Sequence, residues 1–277
     1  MISHIYRGMD QAALDAAYNN TAAVADSARW VADWERRSAA VASAHPHHLD
    51  LRYGPRERNR LDFFPAARDG APVLVFIHGG YWQMRSKEIF RFLASGPLAH
   101  GIAFANVGYT LAPDATLREI VKEVLSAITW IAENAGVYGA DARRLYVSGW
   151  SAGGHLTALS LAHPAVRGGL AISGIFDLEP IRLSYLNDKL RLDAGEASRL
   201  SPLLHLPSTS SPLTLACGGA ELPELQRQSE EFAAARARAG LSGRLVRLAG
   251  HNHFTILEEL ARPDGALTTL VRELTAA

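Results

Sequence analysis

Leu145-Tyr146-Val147-Ser148-Gly149-Trp150-Ser151-Ala152-Gly153-Gly154-His155 is the stretch that decides how this chain folds. A short apolar run, Leu145 to Val147, enters Gly-x-Ser-x-Gly, and Ala152 to His163 continues with helical composition. A strand that turns straight into a helix through this pattern forces its central serine into a strained, exposed position. Positions 149 and 153 must be small because strand and helix cross too closely there for side chains. The pattern therefore predicts the Ser151 hydroxyl over a sheet edge, at the N-terminus of a helix.

Working outward, the same alternation recurs. Val73 to Ile77, Ile102 to Val107, Leu145 to Val147, Gly169 to Ser173, Leu213 to Cys217 and Arg244 to Leu248 read as strands. Helical patterns separate them at 117–133, 152–163, 223–239 and 253–262; the first repeats apolar residues at Ile120, Val121, Val124, Leu125, Ile128 and Ile131. Before them, Leu49 to Tyr53 and Arg60 to Phe64 read as two short strands joined through Gly54-Pro55. Two helices, Asp10 to Tyr18 and Ser27 to Ser43, precede those, with Asp26 or Ser27 as cap of the second. Strand and helix in alternation imply an α/β class with a mainly parallel, eight-stranded sheet and helices on both faces. Residues 176–206, with Pro180, Tyr185, Asn187 and Pro202, break the pattern and read as a short cap over the sheet edge. The expected organisation is one domain over 1–277, with a helical N-terminal segment of about 1–48.

Bulk composition narrows the class. The chain has 277 residues, 48% of them hydrophobic, which supports a sizeable core. Lys plus Arg equals Asp plus Glu at 28 each, so there is no basic excess for a nucleic-acid partner. No apolar run approaches the roughly 20 residues of a membrane helix. Met1 to Asp10 lacks the apolar region of a secretory signal. The single cysteine, Cys217, read as a buried strand residue, fits a reducing, cytoplasmic setting. A homodimer stays open.

The chemistry follows from what Ser151 needs. A free serine hydroxyl is a poor nucleophile and requires a neighbouring base. In hydrolases built on such a sheet the order is serine, acid, histidine. Gly250-His251-Asn252-His253-Phe254 follows the last strand, and His253 is the chosen base, with His251 as rival. Gly218-Gly219-Ala220-Glu221 follows the preceding strand, which makes Glu221 the acid; Glu224, in the first turn of a helix, competes. The oxyanion hole is assigned to the backbone amides of Ala152, Gly79 and Gly80, the latter two in Phe76-Ile77-His78-Gly79-Gly80-Tyr81-Trp82. His78 reads as a brace for that loop. Tyr81, Trp82, Trp150, Tyr185 and Phe254 are taken as substrate-binding residues, with core packing as the alternative for the aromatics. His45-Pro46-His47-His48 lacks a carboxylate or cysteine at ligand spacing, so no metal and no organic cofactor is expected.

These residues resemble a known family. His78-Gly79-Gly80-Tyr81-Trp82 together with Gly149-x-Ser151-x-Gly153 is similar to the α/β-hydrolase kynurenine formamidases (arylformamidases) and their esterase relatives. Tyr109-Thr110-Leu111-Ala112-Pro113, Ser173-Gly174-Ile175-Phe176-Asp177-Leu178-Glu179-Pro180, Tyr185-Leu186-Asn187-Asp188, Gln226-Arg227-Gln228-Ser229 and His253-Phe254 agree with it, from about residue 25 to about 260. The resemblance implies an α/β-hydrolase fold and Ser151, His253 and position 221 as nucleophile, base and acid. It implies acyl transfer to water from a small N-formyl aryl amide of the N-formylkynurenine type. Glu221 stands where those formamidases carry Asp, Asn252 where they often carry an acid, and Trp150 also differs. Alternatives are a carboxylesterase for short-acyl esters, and a hydrolase-like binding protein without catalysis, which the complete residue set argues against.

Overall fold

Val73, Val75 and Ile77 point into one hydrophobic cluster and Leu74 and Phe76 into another, so one strand feeds two cores. This is β3 (Ala71–Ile77), buried along its whole length. Its apolar run lacks polar alternation because both faces of a parallel strand are covered. The computed structural model describes residues 4–207 and 209–276. Met1 to Ser3 of the expected N-terminal segment, Ser208 and Ala277 lie outside the described residues.

The other strands are β1 (His48–Arg52), β2 (Arg60–Phe64), β4 (Ala103–Val107), β5 (Ala140–Trp150), β6 (Val166–Ile172), β7 (Leu213–Gly218) and β8 (Leu245–Leu248). They form one eight-stranded sheet in the order β1-β2-β4-β3-β5-β6-β7-β8. From β4 to β8 every neighbour is parallel, while β1–β2 and β2–β4 are antiparallel. Each expected strand is present. Several boundaries move. β5 begins five residues before Leu145, at Ala140, which pairs with Ala71; the polar residues Asp141, Arg143 and Arg144 masked this start. Ser173, read as the last residue of β6, lies beyond the strand with φ 50°.

The helices are α1 (Gln11–Ala17), α2 (Asn20–Ala23), α3 (Ser27–Ala44), α4 (Ser95–Ala99), α5 (Leu117–Asn134), α6 (Ala152–Ser160), α7 (Glu179–Leu183), α8 (Asn187–Leu190), α9 (Ala194–Arg199), α10 (Pro223–Arg238), α11 (Glu258–Ala261) and α12 (Ala266–Ala276). Side chains of α5, α6 and α10 fill one core; those of α3, α11 and α12 fill the other. Thr116 and Glu119 cap α5 reciprocally, and Ile120, Val124, Ile128 and Ile131 form its buried stripe. Asp26 takes the cap position of α3, but its side chain makes no capping bond. The helix expected over 253–262 divides into a 3₁₀ turn, Thr255–Leu257, and α11. The 3₁₀ stretch Lys87–Ala94, α4 and α12 went unread in the sequence.

The excursion at 176–206 folds into α7, α8 and α9 above the strand ends. Gln228 fixes its entry by accepting from the Phe176 and Asp177 amides at 2.8 and 2.7 Å. The Gln83 amide donates to Leu186 O at 2.7 Å, and the His155 ring bonds Leu200 O at 2.8 Å. The N-terminal segment crosses beside it: Tyr6 donates to Asp177 and Tyr18 to Glu224. Among the described residues no helix is long and apolar enough to cross a membrane.

Candidate active site

Ser151 sits between β5 and α6 with φ 59° and ψ −119°, a strained pair for a residue with a Cβ. Its amide is held by Ile172 O at 2.8 Å, which ties the turn to the neighbouring strand. A side chain at Gly149 would collide with the Gly153 carbonyl, and one at Gly153 with the Ile77 carbonyl. The steric reading of the two glycines therefore holds at atomic detail.

The loop that opens with His78, Gly79 and Gly80 rises from β3 beside this turn. A Cβ at Gly79 would lie 2.7 Å from Trp150 O and 3.0 Å from Ser151 Cβ, so its backbone rests against the Ser151 turn. Gly80, Tyr81 and Trp82 then have φ of 111°, 48° and 58°, three left-handed residues in succession. Such strain persists only where surroundings over-determine it. Ala112 N bonds Trp82 O at 2.8 Å, and Tyr81 donates its hydroxyl to Tyr18 O at 2.7 Å. His78 braces the loop from below. Its Nδ1 faces Gly79 O at 2.8 Å, its ring stacks on Tyr109 at 4.2 Å, and burial drives its pKa down to about 3.

His253 and Glu221 meet across 32 residues of sequence: Nδ1 lies 3.1 Å from Glu221 Oε2. A carboxylate accepts only, so Nδ1 carries the proton and Nε2 is left as the acceptor. The second oxygen, Oε1, accepts from Gly218 N at 2.7 Å and from Ser173 Oγ at 2.5 Å. The His253 ring lies 4.7 Å from that of Trp150, the residue before the serine, whose indole N–H donates to His253 O at 2.8 Å. Asn252 sets the turn by accepting from the Phe254 and Thr255 amides, each at 2.9 Å.

The rivals are engaged elsewhere. His251 faces Thr255 O at 3.2 Å and Glu259 at 3.7 Å. Glu224 pairs with Arg227 at 2.7 Å. Cys217 is buried in β7, and burial raises its pKa. His47 packs beside Phe64 and His48 beside Tyr138.

The aromatic residues divide. Trp150 and Phe254 belong to a buried cluster with Trp34 and Phe90, and Trp82 lies edge-on to His155 at 5.0 Å. Tyr185 is 41% exposed. The open space beside the dyad is a cavity of about 390 Å³ that reaches Glu221 and His253, walled by Asn20, Val24, Leu222 and Asn252. The N-terminal segment supplies half of that wall. No local motif flags Asn20; its place follows from Asn20 donating to the Tyr81 hydroxyl at 2.9 Å, across 61 residues.

Known proteins agree with this architecture. The family described as BD-FAE matches residues 61–166. A kynurenine formamidase of Danio rerio is 32% identical over 242 residues, covering 82% of this chain and 81% of that protein. A probable isoprenylcysteine alpha-carbonyl methylesterase of Oryza sativa is 35% identical over 117 residues, 42% of this chain and 28% of that one. A solved structure from a Silicibacter species, provisionally described as a thioesterase, superposes with a TM-score of 0.86 at 29% identity, covering 94% of this chain and 98% of the other.

Proposed function

The chain belongs to the kynurenine formamidase family of α/β-hydrolases, and on that premise we propose that it deformylates a small N-formyl aryl amide of the N-formylkynurenine type through Ser151, His253 and Glu221. It is a hydrolytic enzyme, and the proposal concerns its triad and its substrate.

His253 Nε2 takes the Ser151 proton as Oγ attacks the formyl carbon. Glu221 holds the imidazole tautomer and stabilises the imidazolium that forms. Backbone amides of Gly79, Gly80 and Ala152 hold the oxyanion, where one donor is worth about 10²- to 10³-fold in rate. Collapse breaks the C–N bond, and the departing aryl amine takes the proton back from His253. Water, deprotonated by the same ring, then cleaves the formyl ester, releasing formate and free Ser151.

The observation that carries this reading is the buried His253–Glu221 contact of 3.1 Å beside the strained serine turn. Ser151 is only 2% exposed, which favours the smallest acyl group. Likeness to the methylesterase over 42% of the chain favours a second reading, a carboxylesterase for short-acyl esters. Steady-state rates on N-formylkynurenine, p-nitrophenyl acetate and p-nitrophenyl butyrate separate the two. The formamidase reading expects formate release with the largest kcat/KM. Efficient butyrate turnover without deformylation would refute it.

A further inference from the structure

We propose that Ser173 is a positioning residue for Glu221, retained at a strained backbone position because its hydroxyl fixes which carboxylate oxygen faces His253. The inference rests on the triad reading above and adds to it a residue outside the motifs that identify the triad.

The geometry is specific. A glutamate reaches its target through one more rotatable bond than an aspartate, so its carboxylate needs external fixing. Two donors supply it, both on Oε1: Gly218 N at 2.7 Å and Ser173 Oγ at 2.5 Å. Oε2 is thereby the oxygen left for His253 Nδ1, at 3.1 Å. Ser173 is itself fully buried, and its amide is bonded to Ala216 O at 2.7 Å, which locks it to the strand that carries the acid.

Its backbone argues for function over packing. With φ 50°, Ser173 occupies the left-handed region, where glycine fits without strain and glycine already follows at position 174. Ser151, on the adjacent strand end, has φ 59°. Two neighbouring strand ends therefore each carry a serine with positive φ. One presents the proposed nucleophile, and the other presents a hydroxyl to the proposed acid. A glycine at 173 would relieve the strain and lose only that hydroxyl.

Ser173→Gly, Glu221→Ala and the double variant test this through the rate at which a fluorophosphonate labels Ser151. We expect Ser173→Gly to lower the maximal labelling rate about 10- to 100-fold with the reversible affinity for the probe unchanged. Its melting temperature should be at or above that of the parent. In the Glu221→Ala background the same change should alter the rate less than about twofold, since there is no carboxylate to position. Additive losses in the double variant, or a labelling rate in Ser173→Gly equal to that of the parent, would overturn the proposal while leaving the triad intact. A Glu221→Ala protein that labels at the parental rate would overturn the triad reading, and this inference with it.

Discussion

Two carboxylates in this molecule are equally enclosed, and their partners differ in kind. The side chains of Asp62 and Glu221 both have zero relative exposure. Asp62, on β2, is met by two cations, Lys87 Nζ at 2.6 Å and Arg91 Nε at 2.7 Å. Burial works against the charge on Lys87. The charge of Asp62, and bonds from Asp62, Glu88 and Asp50, outweigh it and hold the ammonium above its usual range. That cluster is saturated with fixed charge and ties the β1–β2 hairpin to the 3₁₀ stretch. Glu221 is met by two neutral donors and by an imidazole, the one side chain whose ordinary pKa lies near neutrality. The same burial thus encloses a charge-paired clamp in one place and, on the proposed triad, a proton-transfer device in the other.

The difference can be broken from the catalytic side first. His253→Gln should reduce kcat about 10⁴-fold or more, whereas His251→Gln should stay within about threefold, measured on the best substrate at pH 7.5. Parity between them would mean the base is misplaced. Glu221→Gln preserves the shape but favours the wrong imidazole tautomer, and should cost about 10³- to 10⁴-fold. Glu224→Gln removes only the partner of Arg227 and should cost less than about tenfold.

The structural cluster should respond in the opposite currency. Asp62→Asn leaves Arg91 without its counter-charge and Lys87 with only the more exposed Asp50 and Glu88, a loss of about 3–5 kcal/mol of stability and on the order of 10 °C in Tm. The kcat per folded molecule should be unchanged. A variant with parental Tm and impaired kcat would erase the distinction.

Two further imidazoles sharpen it. Burial pulls His78 down to about 3 and His155 to about 4, so both stay neutral in the folded protein. In the unfolded chain they protonate below about 6.5. The unfolded state therefore binds more protons on acidification. Their stabilising contribution is complete above about pH 6.5 and falls as pH drops toward 4, by up to about 1.4 kcal/mol per pH unit for each ring. Urea unfolding between pH 7 and 5 should show this slope, and His155→Gln should flatten it. A slope unchanged by that substitution would remove His155 from the account.

What the sequence revealed follows from how far each signal reaches. Ser151 stands in a local motif and Glu221 and His253 stand after strands, so motif and chain order made them the candidates, with His251 and Glu224 as rivals. The central strands were legible because β3 and β4 are apolar on both faces. Asp62 was not legible, because it lies in a strand with Arg60 and its partners come from a 3₁₀ stretch 25 residues away. Ser173 reads as an ordinary strand residue; its meaning lies in a bond to a residue 48 positions later. Trp150 and Phe254 illustrate the converse. Their nearness to the motif suggested a substrate wall, yet Trp34 from α3 stacks on Phe254 and meets Trp150 edge-on, within a core that only the tertiary fold assembles.

The central claim, that Ser151 is the activated nucleophile of a buried dyad, is tested most directly by mass spectrometry after fluorophosphonate treatment. The account predicts one adduct per chain, mapped to Ser151 and abolished in Ser151→Ala. A protein that stays unmodified, or is labelled at another residue, would contradict it.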